Sequence, residues 1–165
     1  MTISQKPTDI LKEEHKEVLQ KLAALEDIFR HLDDRNAVAS QLKELSSFFN
    51  TDFWVHFTKE EEALFPEMEK FIPRESGPIG AMLVEHEYLR NTNDKIQQVV
   101  HDYLGGSEDK ETKSNILVYG YDFIETLREH IEKEDNILFE MADMHLDKSQ
   151  IEAVVGLFKE LETGS

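Results

Sequence analysis

Two ten-residue segments, HFTKEEEALF starting at His56 and HIEKEDNILF starting at His130, carry the same order of chemically active side chains. In both, a lysine stands three positions after the histidine, a glutamate four positions after it and a second acidic residue five positions after it. Residues four apart on an α-helix lie on one face, about 6 Å apart along the axis. Each segment therefore presents an imidazole and a carboxylate, His56 with Glu60 and His130 with Glu134, to one layer of the protein.

A second element of the sequence is repeated at nearly the same distance. Glu14-His15 is followed 71 positions later by Glu85-His86 (86 − 15), and His56 is followed by His130 after 74 positions (130 − 56). A two-helix unit therefore occurs twice, with a single histidine on its first helix and a His-x-x-x-Glu pair on its second. Such internal two-fold symmetry suits a pair of sites built from equivalent side chains.

These polar side chains occupy positions where the apolar pattern would otherwise place leucine. Burying unpaired carboxylates and imidazoles costs several kcal/mol for each ionised group, so the core must compensate them. Mutual salt bridges would satisfy the two His–Glu pairs but give no partner to His15 and His86, whereas a metal ion accepts both neutral imidazole and carboxylate. The duplication predicts two metal ions, each bound by two histidines, with two glutamates bridging them. The predicted ligands are His15, His56, Glu60, His86, His130 and Glu134.

The types of ligand narrow the choice of metal. Imidazole and carboxylate suit iron, manganese and zinc, and a chain without cysteine offers no thiolate ligand. Ferritin-like di-iron bundles use a Glu-x-x-His pattern, but no glutamate stands three residues before any of the seven histidines.

Apolar residues at spacings of three and four predict an all-α protein. Breaks rich in proline and glycine fall at 73–78 and 105–106. The predicted helices cover roughly 8–31, 37–70, 78–104 and 111–144, with a short C-terminal helix at about 149–162. The C-terminal helix is expected to open with a capping box from Ser149 to Glu152. The apolar stripe of the fourth helix is expected to include Ile137. Short connections favour a single domain over residues 1–165, an up-down-up-down four-helix bundle with the short helix added at its end.

The charge balance limits the partners. A net charge of −17 repels nucleic acid phosphates and anionic membranes, so neither is expected as a partner. No apolar run approaches the ~20 residues that span a bilayer, and the N-terminal MTISQKPTDI lacks the apolar region of a signal peptide. Together with the lack of cysteine, these features favour the reducing cytoplasm.

The order His, His-x-x-x-Glu, His, His-x-x-x-Glu on four helices resembles the hemerythrin-like (HHE cation-binding) family. The strings that carry the resemblance are ILKEEHKEVL, HFTKEEEALFPEM, PIGAMLVEHEYLR and HIEKEDNILFEMA, which together span nearly the whole chain. The resemblance implies a non-haem di-iron centre with an oxo or hydroxo bridge. Its four histidines would be terminal ligands, and Glu60 and Glu134 would bridge the two irons.

One position departs from the oxygen-carrying members of that family. Those proteins have a fifth histidine one turn after the third-helix ligand, where this chain has Arg90. With four histidines and two glutamates the set is more similar to the proteins that repair damaged iron centres under nitrosative stress, although their cysteine-bearing N-terminal segment is absent from this sequence. Two alternatives are open for Arg90: it pairs with Glu60 or a bound anion, or it extends into solvent.

Several other polar residues lie close to the predicted ligands. Glu61, Glu85 and Asp135 could accept the second ring N–H of a ligating histidine, but we expect them to be solvated instead. His31, His101 and His145 lie near predicted helix C-termini, where a cation suits the helix dipole, and we expect no site role for them.

Three functional hypotheses follow from these residues. The first is a di-iron protein that binds, senses or reduces a small diatomic molecule (O₂ or NO) or peroxide under oxidative or nitrosative stress. The second is an iron buffer or donor without turnover, and the third is a structural or interaction module whose site holds zinc or no metal. The sequence alone does not decide between these hypotheses. It also leaves open whether the protein is an enzyme and what its oligomeric state is.

Overall fold

The apolar stripes form helices in a computed structural model of the chain, which describes residues 5–75, 77–107 and 109–163. The helices are α1 (Pro7–Phe29), α2 (Arg35–Asn50), α3 (Asp52–Lys59), α4 (Phe65–Met68), α5 (Pro78–Leu104), α6 (Lys110–Lys133), α7 (Phe139–His145) and α8 (Lys148–Thr163). Two π-helical segments, π1 (Glu60–Leu64) and π2 (Glu134–Leu138), join α3 to α4 and α6 to α7. The described residues contain no strand, which confirms the expected all-α class.

The long helices surround two hydrophobic clusters. Helix α5 packs along α6, α2 packs on α5, and α1 packs on both α6 and α2. His15 lies in sequence between Leu11 of one cluster and Val18 of the other, and His86 lies between Met82 and Leu89 in the same way. The two clusters are therefore separated by a polar layer. Helix α8 packs on α1, α3 and π1, where its Val154 and Phe158 are buried.

The two π segments begin at the two predicted bridging glutamates. The Phe65 N–H donates to the Glu60 carbonyl and the Phe139 N–H to that of Glu134, five residues back in each case instead of four. One extra residue is thereby accommodated in the turn, and the buried face shifts by one position beyond it. The expectation that Ile137 belongs to the buried stripe is therefore wrong: Ile137 is 53% exposed, whereas Leu138 is 1% exposed.

Two further details of the predicted helices need correction. The second helix breaks at Thr51, whose hydroxyl and N–H both donate to the Ser47 carbonyl and close α2 before α3 begins. Helix α8 begins at Lys148, and its capping box joins Asp147 and Gln150 instead of Ser149 and Glu152: each backbone N–H donates to the other's side chain. No helix in the described part of the chain combines the length and apolar character needed to cross a membrane.

Candidate metal centre

All six residues predicted as ligands lie in the polar layer between the two hydrophobic clusters. Their exposed fractions are 5% or less: His15 2%, His56 5%, Glu60 0%, His86 0%, His130 0% and Glu134 0%. They form two groups of four that share both glutamates, and the potential ligand atoms within each group lie within 4.8 Å of one another. His15 and His56 belong to one group, and His86 and His130 to the other. The remaining histidines of the described residues belong to neither group.

The imidazole rings meet through their Nε2 atoms. These atoms lie 3.0 Å apart between His15 and His56 and 3.2 Å apart between His86 and His130. Each Nδ1 atom points outward to a carboxylate, which favours the tautomer that carries its hydrogen on Nδ1. In that tautomer the Nε2 lone pairs of each histidine pair face one another, an arrangement that suits a cation better than a hydrogen bond.

The two glutamates stand between the histidine pairs. Glu60 places one oxygen 3.6 Å from His56 Nε2 and the other 3.2 Å from His86 Nε2. Glu134 Oε1 lies 3.2 Å from His15 Nε2 and 3.3 Å from His130 Nε2. Each carboxylate thus approaches one histidine of each pair.

The carboxylate oxygens of Glu60 and Glu134 are the strongest indication of a missing partner. All four are fully buried, and none has a hydrogen-bond partner among the described residues. Leaving a buried acceptor unsatisfied costs about 1–3 kcal/mol and more for an ionised group. Unpaired carboxylate oxygens facing imidazole lone pairs are a donor set that fits a divalent iron, manganese or zinc ion.

Four carboxylates, which we call the outer carboxylates, accept hydrogen bonds from the outward ring nitrogens. The Nδ1–O distances are 2.8 Å for His15–Asp135, 2.8 Å for His56–Glu14, 2.6 Å for His86–Glu61 and 2.9 Å for His130–Glu85. The expectation that Glu61, Glu85 and Asp135 are solvated is therefore wrong, because folding brings each of them to a histidine on another helix. Such partners fix the tautomer and orientation of a ligating histidine.

Three cationic side chains support three of the outer carboxylates. Lys59 donates to Glu14 at 2.5 Å, Lys133 donates to Glu85, and Arg90 donates to Glu61 at 2.9 Å. Arg90 also lies 3.5 Å from Glu87. Two expectations for Arg90 are therefore corrected: its carboxylate partner is Glu61 instead of Glu60, and it is only one-third exposed because that ion pair holds it against the protein. Pairing of Arg90 with a bound anion stays a prediction.

The pKa shifts follow from these contacts. Burial, followed by the charge of Glu134, raises the pKa of Glu60 to about 8. Burial also acts to raise the pKa of Glu134, but the charge of His130 holds it well below its usual range. Although burial acts to lower it, the charge of Glu134 raises the pKa of His130 to about 10, so without a bound cation this ring is protonated, whereas a metal ion requires its neutral form. Burial acts to raise the pKa of Glu61, but hydrogen bonds from His86 and Arg90 lower it to about 2.

Aromatic rings stack on the imidazoles of His15 and His86. The Phe57 ring stacks on His86 with centroids 3.7 Å apart, and Phe139 stacks on His15 at 5.5 Å. Trp54 is partly buried against the hydrophobic cluster that contains Val18, and it lies beside Arg90.

Two parts of the arrangement were not assigned from the sequence. The sequence marks Glu14 as part of a repeat but does not identify it as the acceptor for His56, and it indicates no role for Lys59. Their signal was the repetition itself, since Glu14 and Lys59 recur as Glu85 and Lys133.

Comparison with known proteins agrees with the geometry. The family model described as "Hemerythrin HHE cation binding domain" matches residues 6–142. The iron-sulfur cluster repair protein YtfE of Salmonella schwarzengrund (strain CVM19633) is 30% identical over 113 residues, 68% of this chain and 51% of that protein. YtfE of Yersinia pseudotuberculosis serotype O:1b (strain IP 31758) is 30% identical over 131 residues, 78% of this chain and 59% of that protein. The chain thus spans little more than half the length of these curated relatives.

Proposed function

The chain belongs to the hemerythrin HHE cation binding domain family, and on that premise we propose that it holds a non-haem di-iron centre serving a stress response. One iron would be held by His15 and His56 and the other by His86 and His130. Glu60 and Glu134 would bridge the two ions, together with an oxo or hydroxo group. The observation that carries this proposal is the set of four buried carboxylate oxygens that no donor of the described residues satisfies.

Two features support two ions rather than one. The histidines form two separate Nε2 pairs, and both glutamates belong to both groups of potential ligands. A single ion would leave one pair of imidazole lone pairs and part of the carboxylate oxygens unsatisfied in a dry layer, at a cost of about 1–3 kcal/mol for each group.

We also propose that the helices form an up-down-up-down bundle. The packing order α1–α2–α5–α6–α1 supports this arrangement.

When bound, the irons would supply sites for O₂, NO or peroxide and the electrons for their reduction. The chain's own part would be to keep those sites dry and to hold the ligands in place. Each ion would have two imidazoles and two carboxylates as protein ligands, which would leave coordination positions for external ligands. The rings of Phe57 and Phe139 limit access of water, and the outer carboxylates hold the imidazoles with their Nε2 atoms inward.

Metal analysis of protein reconstituted with Fe²⁺ without oxygen, followed by a visible spectrum after oxidation, tests the proposal. We expect two Fe per chain, and a loss of most of the iron in both Glu60→Ala and Glu134→Ala because each removes a ligand shared by both ions. Loss from a single terminal histidine variant should be smaller. A stoichiometry near one, or zinc retained against added iron, would falsify the di-iron assignment.

A second candidate function is iron donation without turnover. It is favoured by the relatives that carry the name iron-sulfur cluster repair protein. The two functions separate when the reduced, iron-loaded protein is mixed with an iron-free iron-sulfur protein in one sample and with NO in another. Iron transfer in the first sample without consumption of NO in the second would favour donation. We propose the cytoplasm, expected from the lack of cysteine, as the location for either function.

A further inference from the structure

Lys59 is a buried lysine next to the metal centre. It is only 3% exposed, although lysine is rarely buried without a partner. Its ammonium donates to Glu14 at 2.5 Å and to Glu162 at 2.6 Å, and it lies 5.7 Å from the centroid of the Phe158 ring. Both contacts are charge-assisted hydrogen bonds from the ammonium to a carboxylate.

These contacts form a continuous path from the C-terminal helix to the centre. Glu162 on α8 accepts from Lys59 on α3, Lys59 also donates to Glu14 on α1, and Glu14 accepts from His56 Nδ1 at 2.8 Å. His56 Nε2 then faces His15 Nε2 inside the layer. Three helices are thus joined through one ammonium group, and the path ends at a ring nitrogen that the proposed function assigns to iron.

The internal repeat supplies a comparison within the same molecule. Lys133 is the counterpart of Lys59, and it donates to Glu85, which accepts from His130. Lys133, however, is 45% exposed, and in the described ranges Glu85 is its only carboxylate partner. The difference arises from α8, which packs on α1, α3 and π1 of the first repeat. Helix α8 lies beyond residues 6–142, the part of the chain that matches the family.

We propose that Lys59 and Glu162 are positioning residues through which α8 holds His56 at its metal position. This inference rests on the proposed function, since it needs iron at His56. Helix α8 anchors Glu162, Glu162 and Glu14 hold the ammonium between them, and Glu14 fixes the ring of His56. The position of His56 is therefore coupled to the packing of α8, whereas the equivalent path to His130 ends at the half-exposed Lys133.

Iron release to a chelator, measured on the full-length iron-loaded protein, tests the coupling. Loss of a group that orients a ligating histidine costs about 10–100-fold in metal affinity, so for Lys59→Met, one step further out, we expect release about tenfold faster. Lys59→Arg should restore most of the wild-type rate because it keeps the cation. The matched control is Lys133→Met, for which we expect a change of no more than about threefold, since an exposed ion pair contributes little.

Glu162→Gln addresses the part played by α8. Glu162 is half-exposed, so this variant should fold even if Lys59→Met does not. We expect faster release in Glu162→Gln and no further acceleration when it is combined with Lys59→Met, because both changes break the same path. Additive effects in this double-mutant cycle would overturn the link between α8 and the centre.

The midpoint potential of the iron provides a readout that a purely structural role would not change. Removal of a buried positive charge near His56 favours the more positive oxidised state, so Lys59→Met should lower the potential, and Lys133→Met should lower it less because solvent screens that charge. Equal potentials and equal release rates in wild type and Lys59→Met would overturn the inference alone. A wild-type protein that takes up no iron would overturn both the inference and the proposed function.

Discussion

The metal-free protein should become more stable when both glutamates of the polar layer are replaced by leucine. Glu60 and Glu134 are completely buried, and their four oxygens have no hydrogen-bond partner within the described residues. Replacing both together avoids leaving one carboxylate alone in the layer. The four histidines keep their outer carboxylates as partners in the variant.

The size of the effect follows from the number of unsatisfied groups. An unsatisfied buried polar group costs about 1–3 kcal/mol, so removing two carboxyls should raise the free energy of unfolding by about 2–6 kcal/mol. Replacement of buried ionic groups by apolar ones has a gain of similar size, about 1–4 kcal/mol. For a domain of this length each kcal/mol shifts Tm by about 2–4 °C, so we expect an increase of at least about 4 °C.

Thermal and urea unfolding of chelator-treated protein, followed by circular dichroism at pH 7, measures this difference. With iron present the order should reverse, because the wild type gains the free energy of metal binding and the variant cannot. The matched control is a double variant that carries Glu62→Leu and Glu132→Leu together. Both glutamates are exposed, so this variant should change stability little.

A metal-free double variant that is less stable than metal-free wild type would refute this reasoning. That result would mean that His–Glu ion pairs stabilise the layer, which is the salt-bridge alternative considered from the sequence. The measurement therefore separates the two explanations for buried histidines and glutamates without depending on any activity.

Three further outcomes are expected. Gly120→Ala would place a Cβ 2.5 Å from two ring atoms of Phe29. The overpacking cost less the helix-propensity gain gives a net loss of about 0–2 kcal/mol in urea unfolding. The control, Gly156→Ala, meets nothing within 4 Å and should stabilise the helix, so Gly120→Ala should be the less stable variant by about 1–3 kcal/mol. A hydrogen bond from Arg128 holds the pKa of Glu26 below 4.5. The pair therefore stabilises the protein above that pH, by at most about 0.5 kcal/mol, and this contribution is lost as the pH falls through the lowered pKa. Glu26→Gln should lower the urea midpoint more at pH 7 than at pH 3, and an equal difference at both would contradict the assignment. Acid should release iron steeply, below about pH 5, because several imidazoles are protonated together; a gradual single-proton loss of the visible spectrum would point to independent surface histidines.

The layer itself could be predicted because its residues keep the helical spacing of the core. His56 and Glu60 are four apart on a stripe that is apolar on either side, so the sequence indicates both their burial and their common face. The same argument fails for Ile137, because spacings of three and four are equally helical and nothing in the sequence marks the extra residue of the π segment. The structure puts Leu138 at that position instead.

The outer carboxylates show a second limit of sequence reasoning. Glu14 is adjacent to His15 in the chain but accepts from His56, and Glu85 is adjacent to His86 but accepts from His130. Which acid meets which imidazole depends on the rotation of neighbouring helices about their axes. Periodicity fixes the face of one helix and carries no information on that relative rotation, so these partners emerge only from the fold.

The position of the π segments follows from the layer and not from local sequence preference. Such segments are rare and occur mostly as single turns at functional sites. Here both begin at the glutamates, Glu60 and Glu134, although the residues that follow differ, EEAL in one and DNIL in the other. What the two turns share is a carboxylate between two imidazoles and, at the next position, an acid that accepts from a histidine of the other repeat. A regular α-helical turn would rotate either the acid away from its histidine or the following leucine away from its hydrophobic cluster. The two π segments are therefore best explained by the geometry that the centre requires of its glutamates. That requirement acts on the backbone twice because each repeat contributes one such glutamate.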